Sequence, residues 1–168
     1  MAAHTAYHQL GRFIVAFQRL EAAVNDLLVL MADGDREATR ILINDLEYSK
    51  RLNTADVLFA RSVDLRINTD KATKQEFHKL MAELRELDER RNDIVHSHYQ
   101  PWFNIHGSEG LLRRNSKLLG KAGDRKEAEE ELQPDAFDTD LKRLAAAGER
   151  LETFRRQIID WLYPDNEP

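Results

Sequence analysis

Two side chains in the middle third of the chain could act together on a phosphodiester. They are Arg91 and His96, within Arg91-Asn92-Asp93-Ile94-Val95-His96. Arginine is always charged, and its planar fork matches a phosphate. Histidine is the side chain whose ordinary pKa suits proton transfer near neutrality. One group can hold and neutralise phosphoryl oxygens while the other moves a proton, with no metal required. RNA supplies its own nucleophile, the adjacent 2′-hydroxyl. An arginine and a histidine at this spacing arise often by chance, so the surroundings must decide what the pair is worth.

Arg91 stands out by its position. A helix from about Lys71 to His96 or His98 would carry Phe77, Leu80, Met81, Leu84, Leu87, Ile94 and Val95 as one apolar stripe. Arg91 falls near the centre of that stripe. A guanidinium there is costly unless it meets an anion or lies at an interface. Two plainer readings stand beside a functional one. The stem can pack on the core with its head in water, or the charge can serve a structural salt bridge. Glu21, on the first helix's stripe with Phe17, Val24 and Leu28, is the candidate carboxylate and would orient Arg91 rather than react. Five residues place Arg91 and His96 about 140° apart on an ideal helix. One helix does not converge them on one atom. A two-fold dimer pairing this helix end with its copy would gather two arginines and two histidines around one cleft.

The elements that must position these residues are mostly helical. Leu10, Phe13, Ile14, Phe17, Leu20, Val24, Leu27, Leu28 and Met31 define a first helix, ended by Asp33-Gly34-Asp35 with Asp35 as the next N-cap. A short second helix turns Ala38, Ile41, Leu42 and Leu46 inward. A third runs from about Tyr48 to Leu65, burying Leu52, Ala55, Leu58, Phe59 and Val63. Asn68-Thr69-Asp70 breaks the pattern and caps the long helix, which Pro101 stops. Trp102 to Arg114 reads as a short hairpin around Gly107-Ser108-Glu109-Gly110. Residues 120 to 131, rich in Lys, Arg, Asp and Glu, read as a mobile surface loop. A last helix runs from about Asp138 to Leu162 and is closed by Pro164. The expected fold class is all-α: an antiparallel bundle of about five helices, residues 1–168 forming one domain, with a hairpin or loop insertion before the last helix.

The 168 residues suit one core. A net charge of -5 excludes a protein that coats nucleic acid with its whole surface, so any such contact must be local. There are no cysteines, which removes disulfides, thiolate zinc sites and cysteine nucleophiles. His96-Ser97-His98 is a close pair without further ligand spacing, so neither a metal nor another cofactor is expected. No apolar run approaches a bilayer's thickness, and the N-terminus lacks a signal peptide's pattern, so a cytoplasmic chain with no membrane contact is the expectation. Arg113, Arg114, Lys117 and Lys121 form the only local basic surplus. With Trp102 and Phe103 they could grip single-stranded RNA, or be a solvated hairpin over a packed aromatic pair.

At Glu89-Arg90-Arg91-Asn92-Asp93-Ile94-Val95-His96-Ser97 the chain resembles the HEPN superfamily. That family's signature is an arginine, usually followed by Asn, His or Asp, then a histidine four to six residues after the arginine near the end of a long helix. Phe17-Gln18-Arg19-Leu20-Glu21, the shorter middle helices, the aromatic segment after the motif and the terminal helix also look like stand-alone bacterial members. The resemblance implies a helical bundle that dimerises with the motif at the interface, and metal-independent endoribonuclease activity in many members. Arg91 and His96 would be the catalytic pair, with Asn92 a polar helper positioning one of them or the RNA backbone. Some members are toxins checked by a partner, often a minimal nucleotidyltransferase, and others bind without cutting. Arg90 could be read as the motif arginine, but Arg91 lies on the inward stripe and Asn92 follows it. His98 also falls on that stripe and could share the role of His96, or be a capping or core histidine. The leading expectation is a homodimeric endoribonuclease leaving a 2′,3′-cyclic phosphate, a toxin or defence effector. The alternative is a non-catalytic binding module such as a nucleotidyltransferase's partner, and a third is a structural dimer specified by Arg91 and Glu21.

Overall fold

The computed structural model describes residues 2–67, 69–119 and 123–164, with side chains described for all of these except 2–4 and 117–119. Asn68 and Lys121, and the side chains of His4 and Lys117, therefore lie outside the described residues. Five helices and one three-stranded sheet are found among them: α1 (Ala2–Ala32), α2 (Arg36–Asn44), α3 (Tyr48–Asp64), α4 (Ala72–Val95), β1 (His98–Phe103), β2 (Glu109–Leu119), β3 (Asp124–Leu132) and α5 (Asp138–Leu162). The chain is mostly helical, as the periodicity predicts, but it is not purely α. None of the helices is long and apolar enough to cross a membrane. The chain divides into two compact units, one of Met1–Phe17 with Glu89–Arg143, the other of Gln18–Asp88 with Leu144–Pro168.

The second unit is built from the apolar stripes of five helical segments. Phe59, Phe77 and Phe154 meet at its centre. Phe59 stacks on Phe77 at 4.1 Å, and Phe154 stands edge-on to both at 5.2 and 5.0 Å. These geometries suit the ring quadrupole and add to the area each ring buries. Leu20, Val24, Leu27, Leu52, Leu80, Leu84, Leu144 and Leu151 of this unit are buried as well. Asp33, at φ 47°, takes the left-handed conformation just after α1. Asp35 caps α2 as expected, its carboxylate accepting the Ala38 amide at 3.0 Å.

The face of α2 differs from expectation. Ile41 and Leu42 are 64% and 71% exposed, and Ile43 is the buried residue. Three consecutive aliphatics cannot all face a core from one nine-residue helix. The helix begins at the Asp35 cap, and on its exposed side Arg40 meets Asp26 of α1 at 3.4 Å. Ile43 points inward, Leu46 follows it half-buried, and Ala38 stays outside.

The first unit holds the sheet, in the order β1-β2-β3 with both pairs antiparallel. The hairpin is present and longer than expected. Asn104 shapes its loop, its side-chain oxygen accepting the His106 and Ser108 amides, and Gly107 takes φ 76°. Gly110 has no room for a side chain, because a Cβ there would lie 2.7 Å from the Leu132 carbonyl. Of residues 120–131, expected as a mobile loop, 120–122 lie outside the described residues and 124–131 belong to strand β3, paired from Leu119↔Asp124 to Leu111↔Leu132. Pro101 does not end α4. It sits in β1, an edge strand, where a residue without an N–H is tolerated. The core of this unit is Ala6, Phe13, Phe17, Ile94, Leu111, Leu132 and Phe137.

Candidate functional site

The motif sits where α4 ends, and side chains from the sheet decide where that is. A helix leaves its last carbonyls without internal partners. Here no glycine cap follows Val95. The Asp93 carbonyl instead accepts from the Arg113 guanidinium at 3.2 Å, from the Ser97 hydroxyl, and from the Asn115 amide at 3.5 Å. The Ile94 carbonyl accepts the Tyr99 hydroxyl at 2.7 Å. A cation at this end is further favoured by the helix dipole. The last turn of α4 is thus held by β1 and β2.

Arg113 is itself fixed. It is buried, at 6% exposure, and its Nε donates to Glu130 Oε2 at 2.7 Å, while Nη1 also reaches Ser97 Oγ at 3.1 Å. Glu130 of β3 simultaneously accepts a two-pronged pair from Arg90 at 2.9 Å on each oxygen. Arg90 Nε reaches Asp140 of α5 at 3.1 Å. This network joins α4, β2, β3 and α5. Hydrogen bonds and charge from Glu130, with Asp140 adding to them, raise the Arg90 pKa against the opposing effect of burial. Burial would raise the Glu130 pKa, but Arg90 and then Arg113 outweigh it and hold the carboxyl below its ordinary value. Burial pushes the Tyr99 phenol up to about 12, despite the nearby charges of Arg113 and Arg90.

Arg91 lies one residue from this network and on another face. It is half-buried, its guanidinium 5.0 Å from the centre of the Phe17 ring, and its Nη1 donates to Asn92 Oδ1 at 2.9 Å. Cation and ring attract electrostatically, and the amide fixes the fork's orientation. Asn92 and Arg91 are therefore brought together. His96 lies just past the helix, its amide still donating to the Asn92 carbonyl at 3.0 Å. Its imidazole is exposed.

The remaining expected residues disperse. His98 is not on the helical stripe, because α4 stops at Val95. It stands exposed in β1 opposite Arg114. These two residues, with Ser116, Glu127 and Glu129, line a 240 Å³ pocket on the sheet. Glu21 belongs to the second unit, where it receives a cation the sequence reading did not foresee, Arg51, at 2.9 Å. Arg113 is engaged in holding the fold and is too buried to serve as the phosphate grip expected of it. Arg114 is exposed and meets Glu129 at 2.7 Å. Neighbours on a strand point to opposite faces, so Arg113 and Arg114, like Trp102 and Phe103, do not share one surface. Phe103 is 61% exposed, whereas Trp102 is half-buried. The expected basic and aromatic patch is thereby split.

Sequence reasoning missed Glu130, Asp140, Tyr99, Ser97 and Asn115. A signal existed in β3, where Ala128, Glu130 and Leu132 alternate with Glu127, Glu129 and Glu131. Across the ladder, Glu130 and Glu129 face Arg113 and Arg114 in register. Among the described residues, no cluster of His, Asp or Glu could hold a metal ion. No protein-family model, curated protein or solved structure matches this chain.

Proposed function

We propose that this chain is a HEPN-type endoribonuclease that acts as a homodimer on RNA, without a metal. The observation that carries the reading is the Arg91-Asn92-x3-His96 segment at the end of α4, with Arg91 oriented by Asn92 at 2.9 Å and His96 exposed just beyond. In the reaction the ribose 2′-oxygen attacks the adjacent phosphorus and the bond to the 5′-oxygen breaks. A base takes the 2′-proton, and an acid gives a proton to the leaving 5′-oxygen. The products are a 2′,3′-cyclic phosphate and a 5′-hydroxyl. His96 serves as base or acid, and Arg91 neutralises the phosphoryl oxygens where charge is greatest. Two copies of the motif supply a second histidine for the second proton transfer. A toxin or defence effector held by a nucleotidyltransferase-type antitoxin is the setting this chemistry suits.

The test is cleavage of a labelled RNA in EDTA. His96→Ala is expected to lower the rate at least ~100-fold while the melting temperature and oligomeric state stay those of the parent. A parent protein that binds RNA or a protein partner but cuts no RNA would replace this reading with the non-catalytic module.

A further inference from the structure

The pocket on the sheet has no part in the chemistry above, yet it opens beside the motif. Arg114 pairs with His98 across β1 and β2, and with Glu129 across β2 and β3. One row of the sheet thus holds an imidazole, a guanidinium and a carboxylate. Ser116 and Glu127 form the next row on the same face. With Asn115 these side chains line the 240 Å³ pocket. That is below the roughly 300–1,000 Å³ a drug-sized ligand occupies, and it suits one planar ring system. The neighbouring polar groups hold the fold. Arg90, Arg113, Glu130 and Asp140 bond one another, and the Asn115 amide reaches the Asp93 carbonyl at 3.5 Å. The outer row is different. Arg114 Nε meets Glu129 Oε1 at 2.7 Å, with the two side chains 54% and 60% exposed. So exposed a pair adds little to stability. The contact leaves both terminal nitrogens of Arg114 and the second oxygen of Glu129 to a further partner. His98 follows His96 by two residues, so their Cα atoms lie within about 7 Å of each other. A phosphate at the motif and a base joined to it through one ribose span such a gap.

We infer that this pocket is a base-recognition subsite, and that it takes the guanine whose ribose carries the attacking 2′-hydroxyl. The inference rests on the nuclease reading for the position of the phosphate. The lining decides which part of a nucleotide enters. Glu127 and Glu129 repel a phosphate, whereas a base carries N–H donors that carboxylates accept. Guanine presents two adjacent acceptors, O6 and N7, to a guanidinium fork. It also presents two adjacent donors, N1–H and N2–H, to a carboxylate. Adenine sets its N7 beside a donor amine, and uracil alternates acceptor and donor, so neither offers paired acceptors. Cytosine offers paired acceptors but a single donor group. Single-stranded RNA is read in this manner, with a base splayed out, its edges hydrogen-bonded and its plane laid on an imidazole or guanidinium. His98 and Arg114 supply those planes.

The experiment has two arms. In the first, short RNAs that differ only in one central base, set in a run of uridines, are cut by the full-length protein and the products mapped. Cleavage on the 3′ side of guanosine is expected at least ~10-fold faster than after the other three bases. Arg114→Ala and Glu129→Gln should bring the guanosine rate down to the others and leave those unchanged. Both residues are exposed, so melting temperature and circular dichroism should match the parent. In the second arm, guanosine 3′-monophosphate should shift the amides of His98, Arg114, Ser116 and Glu129, in the parent and in His96→Ala alike. Adenosine 3′-monophosphate carries the same phosphate and should not. The inference is overturned, with the nuclease reading intact, if RNA is cut equally after all four bases, faster after another base, or with a guanosine preference that survives both variants. It is overturned as well if guanosine 3′-monophosphate gives no selective shift at these amides. Selective shifts without cleavage of any RNA support the guanine pocket and remove only the nuclease reading.

Discussion

Arg90 and Arg91 are neighbours in sequence, yet they occupy two regions of opposite character at the end of α4. On the Arg90 face, charge is matched to charge. Arg90 and Arg113 share Glu130, Asp140 completes the set, and Arg113 continues onto the Asp93 carbonyl near the helix end. On the Arg91 face, the guanidinium lies over the Phe17 ring and against a neutral amide. The first arrangement fixes a position and has little capacity left for a new anion. The second holds a cation in one orientation, over an aromatic ring and beside an amide. One residue of sequence, about 100° of helix, separates a structural arginine from the one assigned to chemistry.

The widest separation between the two faces should come from paired substitutions. Arg91→Ala is expected to reduce RNA cleavage ~100- to 1000-fold while removing ~0.5–2 kcal/mol of stability, the range for a half-buried cation–ring contact. Arg90→Ala should do the reverse. It leaves Asp140 and one prong of Glu130 unmatched in a part-buried site, a loss of about 2 kcal/mol. Activity of the fraction still folded should stay close to that of the parent. Cleavage rates normalised to folded protein, with denaturant titrations of each variant, measure both. Equal losses of stability and activity in the two variants would erase the distinction between the faces.

A pH series sharpens the same contrast. Glu130 is held below its ordinary carboxyl value by Arg90 and Arg113. Its contribution is complete above the unfolded-state value near 4.5 and is lost as pH falls through the lower folded-state value. Tyr99 has the opposite sign. Its pKa rises from 10.0 to about 12, so its contribution is complete below 10.0 and is lost as pH climbs through about 12. Melting temperatures measured from pH 2 to 12 should therefore show a plateau bounded by an acid limb and an alkaline limb. Glu130→Gln should make the acid limb shallower and leave the alkaline limb unchanged, and Arg91→Ala should change neither. An unchanged acid limb in Glu130→Gln would mean that other carboxylates carry it.

Much of this was legible from spacing alone, and the failures share a cause. The bounds of α3 and α5 and the Asp35 cap follow from apolar period and capping chemistry, which are local. The anomaly of Arg91 was legible in the same way, as a charge on an apolar stripe. Asp124-Arg125-Lys126-Glu127-Ala128-Glu129-Glu130-Glu131 was not, because strand preference in so charged a segment comes from cross-strand partners rather than from the residues themselves. With β3 unrecognised, Glu130 had no address, and Arg113 was read as a free surface cation. The phase of α2 failed similarly, since Ile41, Leu42 and Ile43 present equal claims within so short a helix and only packing against the rest of the unit buries Ile43. The end of α4 was placed up to three residues late because its cap comes from residues in the strands that follow it.

The smallest effect tests that last point. Tyr99→Phe removes the hydroxyl that donates to the Ile94 carbonyl at 2.7 Å and leaves the ring in place. The expected loss is about 1 kcal/mol, the net worth of one hydrogen bond. The alkaline limb of the stability profile should become shallower with it. The Asp93 carbonyl keeps Arg113, Ser97 and Asn115, so the helix should still end at Val95, and amide exchange should quicken only around Ser97 and Tyr99. A loss above ~3 kcal/mol, or faster exchange back through Asn92, would shift the anchor of the motif from Arg113 to Tyr99. The two faces of α4 would then depend on one phenol, rather than on a charge network that serves one face and leaves the other to Arg91.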